Sequence, residues 1–168
     1  GGALSKSAQF PFHFWLPGAM QAPSPVSAFL HSATMVKAGI YLLARLNPVL
    51  GNTQEWQTII PLFGGVTMLI GAYFALTQKD LKAILAYTTI SALGTLILLI
   101  GIDSELSMKA ALIFLIVHAF YKGALFMIAG SLEKKTGTRN IDLLGNLAFK
   151  MPITTIVALL ALFSMAGL

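Results

Sequence analysis

The sequence contains no cysteine, which excludes disulfide bonds, thiolate catalysis, iron–sulfur ligation and cysteine-based zinc sites. Charged side chains are also scarce: they make up 10% of the 168 residues, whereas 57% are hydrophobic. With a mean hydropathy of +0.81, this composition is far from that of a soluble globular domain. The sequence therefore predicts a protein embedded in a lipid bilayer.

The few charges sum to +5, but the Lys and Arg residues form no basic stripe of the kind that binds nucleic acid. They lie inside apolar segments or in short connections, and no cleavable signal peptide is recognisable. The chain starts without methionine and finishes inside the apolar run ITTIVALLALFSMAGL. We therefore expect both ends to lie within a longer membrane protein.

Apolar segments follow one another along the whole chain, and about 20 such residues are needed to cross the hydrocarbon layer. Six are predicted, at about 1–16, 26–46, 59–76, 81–102, 108–132 and 151–168. The first and last are expected to be incomplete, and no connection is long enough for a second domain. The predicted fold class is an all-α membrane protein, a transmembrane helix bundle forming a single membrane domain over 1–168.

Basic residues are distributed unevenly between the connections. The second and fourth connections carry only Arg45 and Lys109. Cytoplasmic connections are enriched in Lys and Arg, so the richer set is predicted to face the cytoplasm. That set, in the first, third and fifth connections, comprises Lys79, Lys82, Lys134, Lys135, Arg139 and Lys150.

Ionisable side chains interrupt the apolar segments at Lys6, Lys37, Lys122, His31 and His118. A lysine at the centre of a membrane helix costs roughly 2.5–3.5 kcal/mol, so its presence is a hypothesis about ion or proton movement. In segment 26–46, Lys37 alone about cancels the favourable insertion of the apolar residues, roughly 0.3–0.6 kcal/mol each. This segment is therefore predicted to turn its polar side toward protein or water.

Two of these segments pair a lysine with a histidine. Lys37 lies near the middle of its segment, where snorkelling to a headgroup layer is difficult. On a continuous helix His31 would lie on a different face, either flanking one cavity with Lys37 or serving as a buried structural histidine. His118 and Lys122 stand four residues apart on one helix face, where they form either a proton relay or a polar helix–helix contact.

Pro11 is predicted to break the first segment, because it cannot donate to the carbonyl of Ser7 and so frees that carbonyl beside Lys6. Such a break either lines a cavity, as in transporters, or is only a kink. His13 beyond it is either part of a site or interfacial.

Small and hydroxyl residues mark the third and fourth segments. Gly64, Gly65 and Gly71 are predicted to be close-packing positions. A stripe in the fourth segment either holds water in the bundle interior or packs against a neighbouring helix. It consists of Thr88, Ser91 and Thr95. Lys79, Asp80 and Lys82 lie at the entrance to this segment and serve either as cytoplasmic anchors or in transport.

No acidic residue lies at mid-depth in the five fullest segments; Asp80, Asp103, Glu105 and Glu133 all fall at segment ends. A buried lysine can release its proton, and a nearby carboxylate favours the charged form, so movement of the carboxylate would load or unload it. The carboxylate partner is therefore predicted to come from chain outside this sequence.

Three stretches carry a resemblance to a known family: GALSKSAQFPFHFWLPGAMQAPSPVSAFLHSATMVKAGIYLLARL, QKDLKAILAYTTISALG and HAFYKGALFMIAGSLEKKTGTRNI. The sequence resembles the antiporter-like membrane subunits, which include proton-pumping subunits of respiratory complex I. It is most similar to the large A subunits of Mrp-type multisubunit Na+/H+ antiporters. The resemblance implies an inverted-repeat fold, of which 1–168 is the second five-helix repeat, with a broken first helix, plus the start of the next helix.

The resemblance also implies residue roles. A proton relay would run through Lys6, His31, Lys37, His118 and Lys122, while His13 and Lys82 match polar positions linked to transport. The family glutamate that pairs with the residue at Lys6, and a later lysine on the next broken helix, fall outside these residues.

The implied function is a proton-translocating subunit of a monovalent cation/proton antiporter in the cell membrane. Its partners would be other antiporter subunits, protons, Na+ and the lipid bilayer, with no cofactor. The alternative is a proton-pumping membrane subunit of complex I. An intramembrane enzyme is not favoured, because HExxH, GxSxG and acidic-pair motifs are missing. A purely structural scaffold would not explain lysines at mid-depth.

Overall fold

In the computed structural model, which describes residues 2–167, the chain is a bundle of helices. An isolated bridge between Asp80 and Asn140 is the β-pairing found among these residues. The α-helices of the described chain are α1 Gly2–Lys6, α2 Trp15–Gly18, α3 Ser24–Ala28, α4 Lys37–Leu50, α5 Gln54–Thr77, α6 Leu81–Ile102, α7 Glu105–Thr136, α8 Leu147–Lys150 and α9 Pro152–Ala166. Two short 3₁₀ turns, Ala19–Gln21 and Ile141–Leu143, and a π-helical turn, Phe29–Ala33, connect them.

Four stretches are long and apolar enough to cross a membrane: Ser24–Leu50, Gln54–Thr77, Leu81–Ile102 and Glu105–Thr136. Pro152–Ala166 is a shorter apolar helix. The all-α, multi-pass membrane fold is thereby confirmed. The prediction of six segments differs at the start, where 1–16 is two short helices separated by irregular chain around Pro11. Gly1 and Leu168, the outermost residues of the predicted segments, lie outside the described residues.

The long helices extend beyond their apolar cores because polar residues cap them. Thr53 begins α5 by accepting from the Trp56 amide, and Asp80 begins α6 by accepting from the Ala83 amide. Ser104 and Ser107 form a reciprocal capping box at the start of α7. Hydropathy detects only the apolar part of each helix, which is why the predicted starts of α5 and α7 fall too late.

Helices α5 and α6 make the most extensive contact among the described elements, and glycines allow it. A Cβ on Gly64 would collide with the backbone of Leu98 and Gly94, and one on Gly71 would lie 2.5 Å from the Ser91 nitrogen. The close-packing prediction is therefore confirmed for these two positions. It is wrong for Gly65, where a Cβ would have no atom within 4 Å because that residue is turned about 100° around the helix from Gly64.

Polar contacts tie the connections together at each end of the bundle. At one end, Arg139 links three connections: its Nε lies 3.0 Å from Asp80 Oδ2, its Nη1 donates to Met20 O and its carbonyl accepts from the Leu81 amide. Nearby, hydrogen bonding to Asp142 and the charge of that carboxylate raise the pKa of Lys79.

At the other end, Asn47 near the end of α4 bonds to the start of α5 and to the connection between α6 and α7. Its Nδ2 donates to Asp103 and its Oδ1 accepts from Trp56 Nε1 at 2.8 Å. Successive connections thus alternate between the two ends, as expected for a chain that crosses a bilayer repeatedly.

The two neighbouring glycines of α5 provide a matched test of the helix contact. We expect Gly64→Ala to destabilise the full-length protein by about 1–3 kcal/mol, because the new methyl group would overpack the backbone of α6. Gly65→Ala should leave stability unchanged or raise it by up to about 1 kcal/mol, since alanine is the better helix former. Unfolding midpoints of the detergent-solubilised protein measure both; equal destabilisation would contradict this packing.

Candidate functional site

The helix that carries His31 and Lys37 is interrupted between them. The π-helical turn Phe29–Ala33 is followed by Thr34 at φ −129° and ψ −75°, and α4 begins at Lys37. Ser32 Oγ donates to the Ala28 carbonyl at 2.6 Å, a back-bonding contact that bends helices. The expectation of one continuous helix between these two residues is therefore wrong: Lys37 lies at a helix start, directly after the break.

One face of α7 receives the side chains from this interrupted helix. Leu115, His118, Lys122 and Phe126 follow one another at spacings of three and four residues, so they share a helix face. Lys37 Nζ donates to the Leu115 carbonyl at 3.1 Å, and the His31 ring packs on Phe126 with centroids 4.9 Å apart.

Lys122 is fully buried and is bound by neutral groups of α6. Its Nζ donates to the Leu85 carbonyl at 3.1 Å and to Thr88 Oγ1 at 2.5 Å. Thr88 Oγ1 in turn lies 2.9 Å from the carbonyl of Ile84, to which its single proton can be donated. The sequence singles out both Lys122 and Thr88, but it cannot show that the two touch across a helix interface.

The imidazoles of His31 and His118 lie buried beside these lysines. His118 and Lys122 lie on the α7 face that Lys37 reaches at Leu115 and His31 reaches at Phe126, so the structure brings these four predicted relay residues to one helix face. No group of the described residues bonds to a ring nitrogen of either histidine. Buried polar atoms that lack a protein partner are usually bonded to water, which is the medium a proton path requires.

The hydroxyl stripe of α6 borders a cavity next to Lys122. Thr88, Ser91 and Thr95 line a space of about 360 Å³ together with Tyr121 of α7 and residues of α5 and α9. Thr88 both faces this cavity and accepts from Lys122. The stripe therefore borders a space large enough for several waters, rather than being fully used in helix packing.

The broken first helix has its freed backbone groups satisfied by side chains. The Ser7 carbonyl, released by Pro11, accepts from Gln9 Nε2 at 3.0 Å. The Phe10 amide donates to Thr67 Oγ1 of α5 at 3.0 Å, and Trp15 Nε1 donates to the Ser5 carbonyl. The break at Pro11 is thus stabilised by hydrogen bonds from neighbouring polar side chains, as non-helical backbone at membrane depth requires.

Two predicted site residues near this break lie apart from the buried group. Lys6 ends α1 with its side chain exposed on the surface of the described chain. His13 is buried in an aromatic pocket, its ring 4.2 Å from Phe14 and 6.4 Å from Phe74 between centroids. His13 is therefore buried, and it lies apart from the lysines of α4 and α7.

Lys82 has a partner that sequence analysis missed. Its side chain is only 4% exposed, and its Nζ lies 2.8 Å from Glu133 Oε2, near the end of α7. Lys82 and Glu133 are on different helices, so no spacing in the sequence could reveal the pair. A group of three or more His, Asp or Glu side chains suited to a metal ion is not found in residues 2–167.

The fold and this interior arrangement define a class: an α-helical, multi-pass membrane protein with lysines and histidines aligned inside its helix bundle. Comparison with known proteins gives the family. Residues 1–168 match the family described as NADH:quinone oxidoreductase/Mrp antiporter, TM, and the chain belongs to it.

Curated relatives and solved structures agree with this assignment. The chain is 55% identical to the A/B subunit of a probable K(+)/H(+) antiporter of Rhizobium meliloti and 52% identical to the A subunit of a Na(+)/H(+) antiporter of Alkalihalophilus pseudofirmus. Each comparison covers 99% of this chain but only 17% and 22% of the relative, respectively. The chain thus spans about a fifth of the length of these relatives.

Two solved structures share the fold over 99% of this chain. A chain in the structure of the Mrp complex from Dietzia sp. is 49% identical, with a TM-score of 0.94, and 18% of it is covered. A chain of the membrane-bound sulfane sulfur reductase, described as an archaeal respiratory membrane complex, is 25% identical, with a TM-score of 0.91 and 35% covered.

The hydrogen bond between Thr67 and the broken helix can be tested with a valine substitution. We expect Thr67→Val to cost about 1–3 kcal/mol in the full-length protein, because the Phe10 amide would lose its acceptor. Thr58→Val, at an exposed position of the same helix, is the control and should change stability by less than about 0.5 kcal/mol. Hydrogen exchange at the Phe10 amide should rise only in Thr67→Val; unchanged exchange there would rule out this contact.

Proposed function

We propose that this chain is part of a proton-translocating subunit of a multisubunit monovalent cation/proton antiporter. Protons would pass along Lys37, His118, Lys122 and His31, with water between the side chains. The observation that carries the proposal is that these four groups converge on one buried face of α7 inside a membrane-spanning bundle. The activity is that of a secondary transporter subunit rather than of an enzyme.

The bonds made by the two buried lysines favour a reversible proton carrier. Lys37 and Lys122 donate to carbonyl and hydroxyl oxygens, and neither forms an ion pair within the described residues. A lysine bound only by neutral acceptors is not fixed in its charged form by a carboxylate, so it can lose and regain a proton. His118 lies on the α7 face between the two lysine contacts and can accept and donate through its two ring nitrogens.

Lys6 has a separate place in the proposal. It is exposed on the described chain, which spans about a fifth of its relatives. We infer that Lys6 faces other parts of the longer protein, where a carboxylate on another helix would pair with it. Residues 1–168 would form the second five-helix repeat of the antiporter-like fold together with the start of the following helix.

The same proposal covers location and partners. The protein would lie in the cell membrane with the connections containing Lys79, Lys82, Lys134 and Lys135 on the cytoplasmic side. Other subunits of the antiporter would assemble with it. One relative is named a Na(+)/H(+) antiporter subunit and the other a probable K(+)/H(+) antiporter subunit. The proposed cation is therefore a monovalent cation, and Na+ is the first to test.

A second candidate is a proton-pumping membrane subunit of a complex I-type assembly. The family description names NADH:quinone oxidoreductase, and one neighbouring fold belongs to a respiratory membrane complex. Proton movement in vesicles separates the two: it should respond to added Na+ or K+ under the first proposal and to quinone reduction under the second. The antiporter is favoured, because the relatives at 52–55% identity carry antiporter names.

Alanine substitutions in the full complex test the relay. In inside-out vesicles, we expect Lys6→Ala, Lys37→Ala and Lys122→Ala each to reduce pH-gradient-driven cation exchange at least about tenfold, because each removes a proton carrier. Lys109→Ala removes an exposed lysine paired with Glu105 and should leave exchange near the wild-type rate. Normal exchange in Lys37→Ala or Lys122→Ala would refute the proposed route, and normal exchange in Lys6→Ala would refute the separate role of Lys6.

His118→Ala tests the relay between the lysines separately. We expect it to slow exchange by about tenfold or more, since the imidazole lies on the α7 face between the Lys37 contact and Lys122. His118→Gln keeps a polar side chain without an easily protonated nitrogen and should be equally slow. Undiminished turnover in both variants would remove His118 from the route while leaving the lysines in place.

A further inference from the structure

The ion pair between Lys82 and Glu133 joins the exposed end of the bundle to its interior. The Lys82 side chain is 4% exposed, whereas Glu133 is 37% exposed, and their charged atoms are 2.8 Å apart. The other ion pairs on lysine are different in kind. Lys79–Asp142 and Lys109–Glu105 have every side chain more than half exposed, so they are surface pairs of little energetic weight.

Glu133 is also shared with a second cation. Its Oε1 lies 3.7 Å from Arg139 Nε, and the same nitrogen lies 3.0 Å from Asp80 Oδ2. Arg139 is held in place by its backbone contact to Leu81 and its side-chain bond to Met20. Glu133 thus lies between the permanently charged guanidinium of Arg139 and the buried Lys82, and it can pair with either.

A route inward from this pair would follow α6. Lys82 and Leu85 are three residues apart, so they are neighbours on one helix face. The Leu85 carbonyl is an acceptor of Lys122, which the proposed relay uses. The side chains of Leu85, Phe126 and Ala129 form one buried hydrophobic cluster in this region, so the step between Lys82 and Lys122 would need water beside the Leu85 carbonyl.

We propose that Glu133 is the carboxylate through which protons pass between the aqueous phase and Lys82, and so to the interior relay. In the outward step Glu133 moves from Lys82 toward Arg139, which leaves Lys82 without the carboxylate that holds it in its charged form. Lys82 then gives its proton through water to Glu133: an N–H bond of the ammonium breaks, an O–H bond of the carboxyl group forms, and both side chains become neutral. Water then removes the proton from Glu133. Uptake is the reverse. The inference rests on the proposed function, since it supplies one end of that route.

Removing the carboxylate while keeping its shape tests this role. In inside-out vesicles bearing the full complex, Glu133→Gln should lower the initial rate of pH-gradient-driven exchange per assembled complex at least about fivefold. Glu133→Asp keeps a carboxylate and should retain at least about half of the wild-type rate. Asp142→Asn and Glu105→Gln are matched controls that remove exposed carboxylates from each end of the bundle, and both should stay within about twofold of wild type.

A structural explanation makes a different prediction. Glu133→Gln leaves the buried Lys82 without its partner, which by itself can destabilise the protein. The double variant Lys82→Gln, Glu133→Gln removes both charges, so a purely structural role predicts recovered assembly and recovered exchange. A proton-transfer role predicts that the double variant assembles, by native gel, but remains at least about fivefold slow.

The outcomes separate this inference from the relay itself. Wild-type exchange in Glu133→Gln, or recovery in the double variant, overturns the role of Glu133. If Lys122→Ala is inactive in the same exchange assay, the proposed function stands even though the role of Glu133 is refuted. If Lys122→Ala also exchanges normally, the proposed function fails as well. Should Glu133→Gln fail to assemble, the double variant and Glu133→Asp decide the matter.

Discussion

Every polar group within a bilayer must be satisfied by protein or by enclosed water, and this requirement organises the structure. The backbone freed at Pro11 is bonded by Gln9 and Thr67. The buried lysines meet the same requirement by reaching across to α7 and α6, so that each polar contact also fixes a helix neighbour. The interior lysines of this chain are thus part of the packing of the bundle, because each one bonds to a neighbouring helix.

The hydrogen bonds of Lys122 are compatible with either protonation state of its amine. The Leu85 carbonyl accepts from Lys122 and from Thr89 Oγ1, at 3.1 and 2.8 Å, so its acceptor capacity is divided. Thr88 Oγ1 accepts a hydrogen bond from Lys122, and its hydroxyl donates a hydrogen bond to the Ile84 carbonyl. Neutral acceptors of this kind stabilise an ammonium less than a carboxylate does, and a neutral amine can remain bonded in the same place. Hydroxyl groups beside a space large enough for several waters therefore suit a lysine that changes its protonation state.

The sequence predicts regular features well and interruptions poorly. The bounds 81–102 predicted for the fourth segment coincide with α6, because Asp80 caps a helix that is apolar throughout. Pro11 gives a visible signal for the first break, since it removes a donor. The second break has no proline or glycine between His31 and Lys37; it arises from serine and threonine hydroxyls bonding back to carbonyls, which hydropathy does not detect. The pairs Lys122–Thr88 and Lys82–Glu133 depend on how separate helices dock, so only tertiary structure reveals them.

The distribution of breaks and close contacts indicates which parts of a relay can move. Helices α5 and α6 are locked backbone to backbone through Gly64, Gly71 and Gly94, so α6 holds the acceptors of Lys122 in a fixed place. Lys6 and Lys37 instead adjoin interrupted helices, where a change of a few backbone angles displaces a side chain without separating packed surfaces. If protons are passed as proposed, the adjustable contacts are those of Lys6 and Lys37, and Lys122 is the stationary member. A carboxylate on a neighbouring helix would then control the relay from the side of the broken helices, because that is where a small displacement changes a lysine's partner.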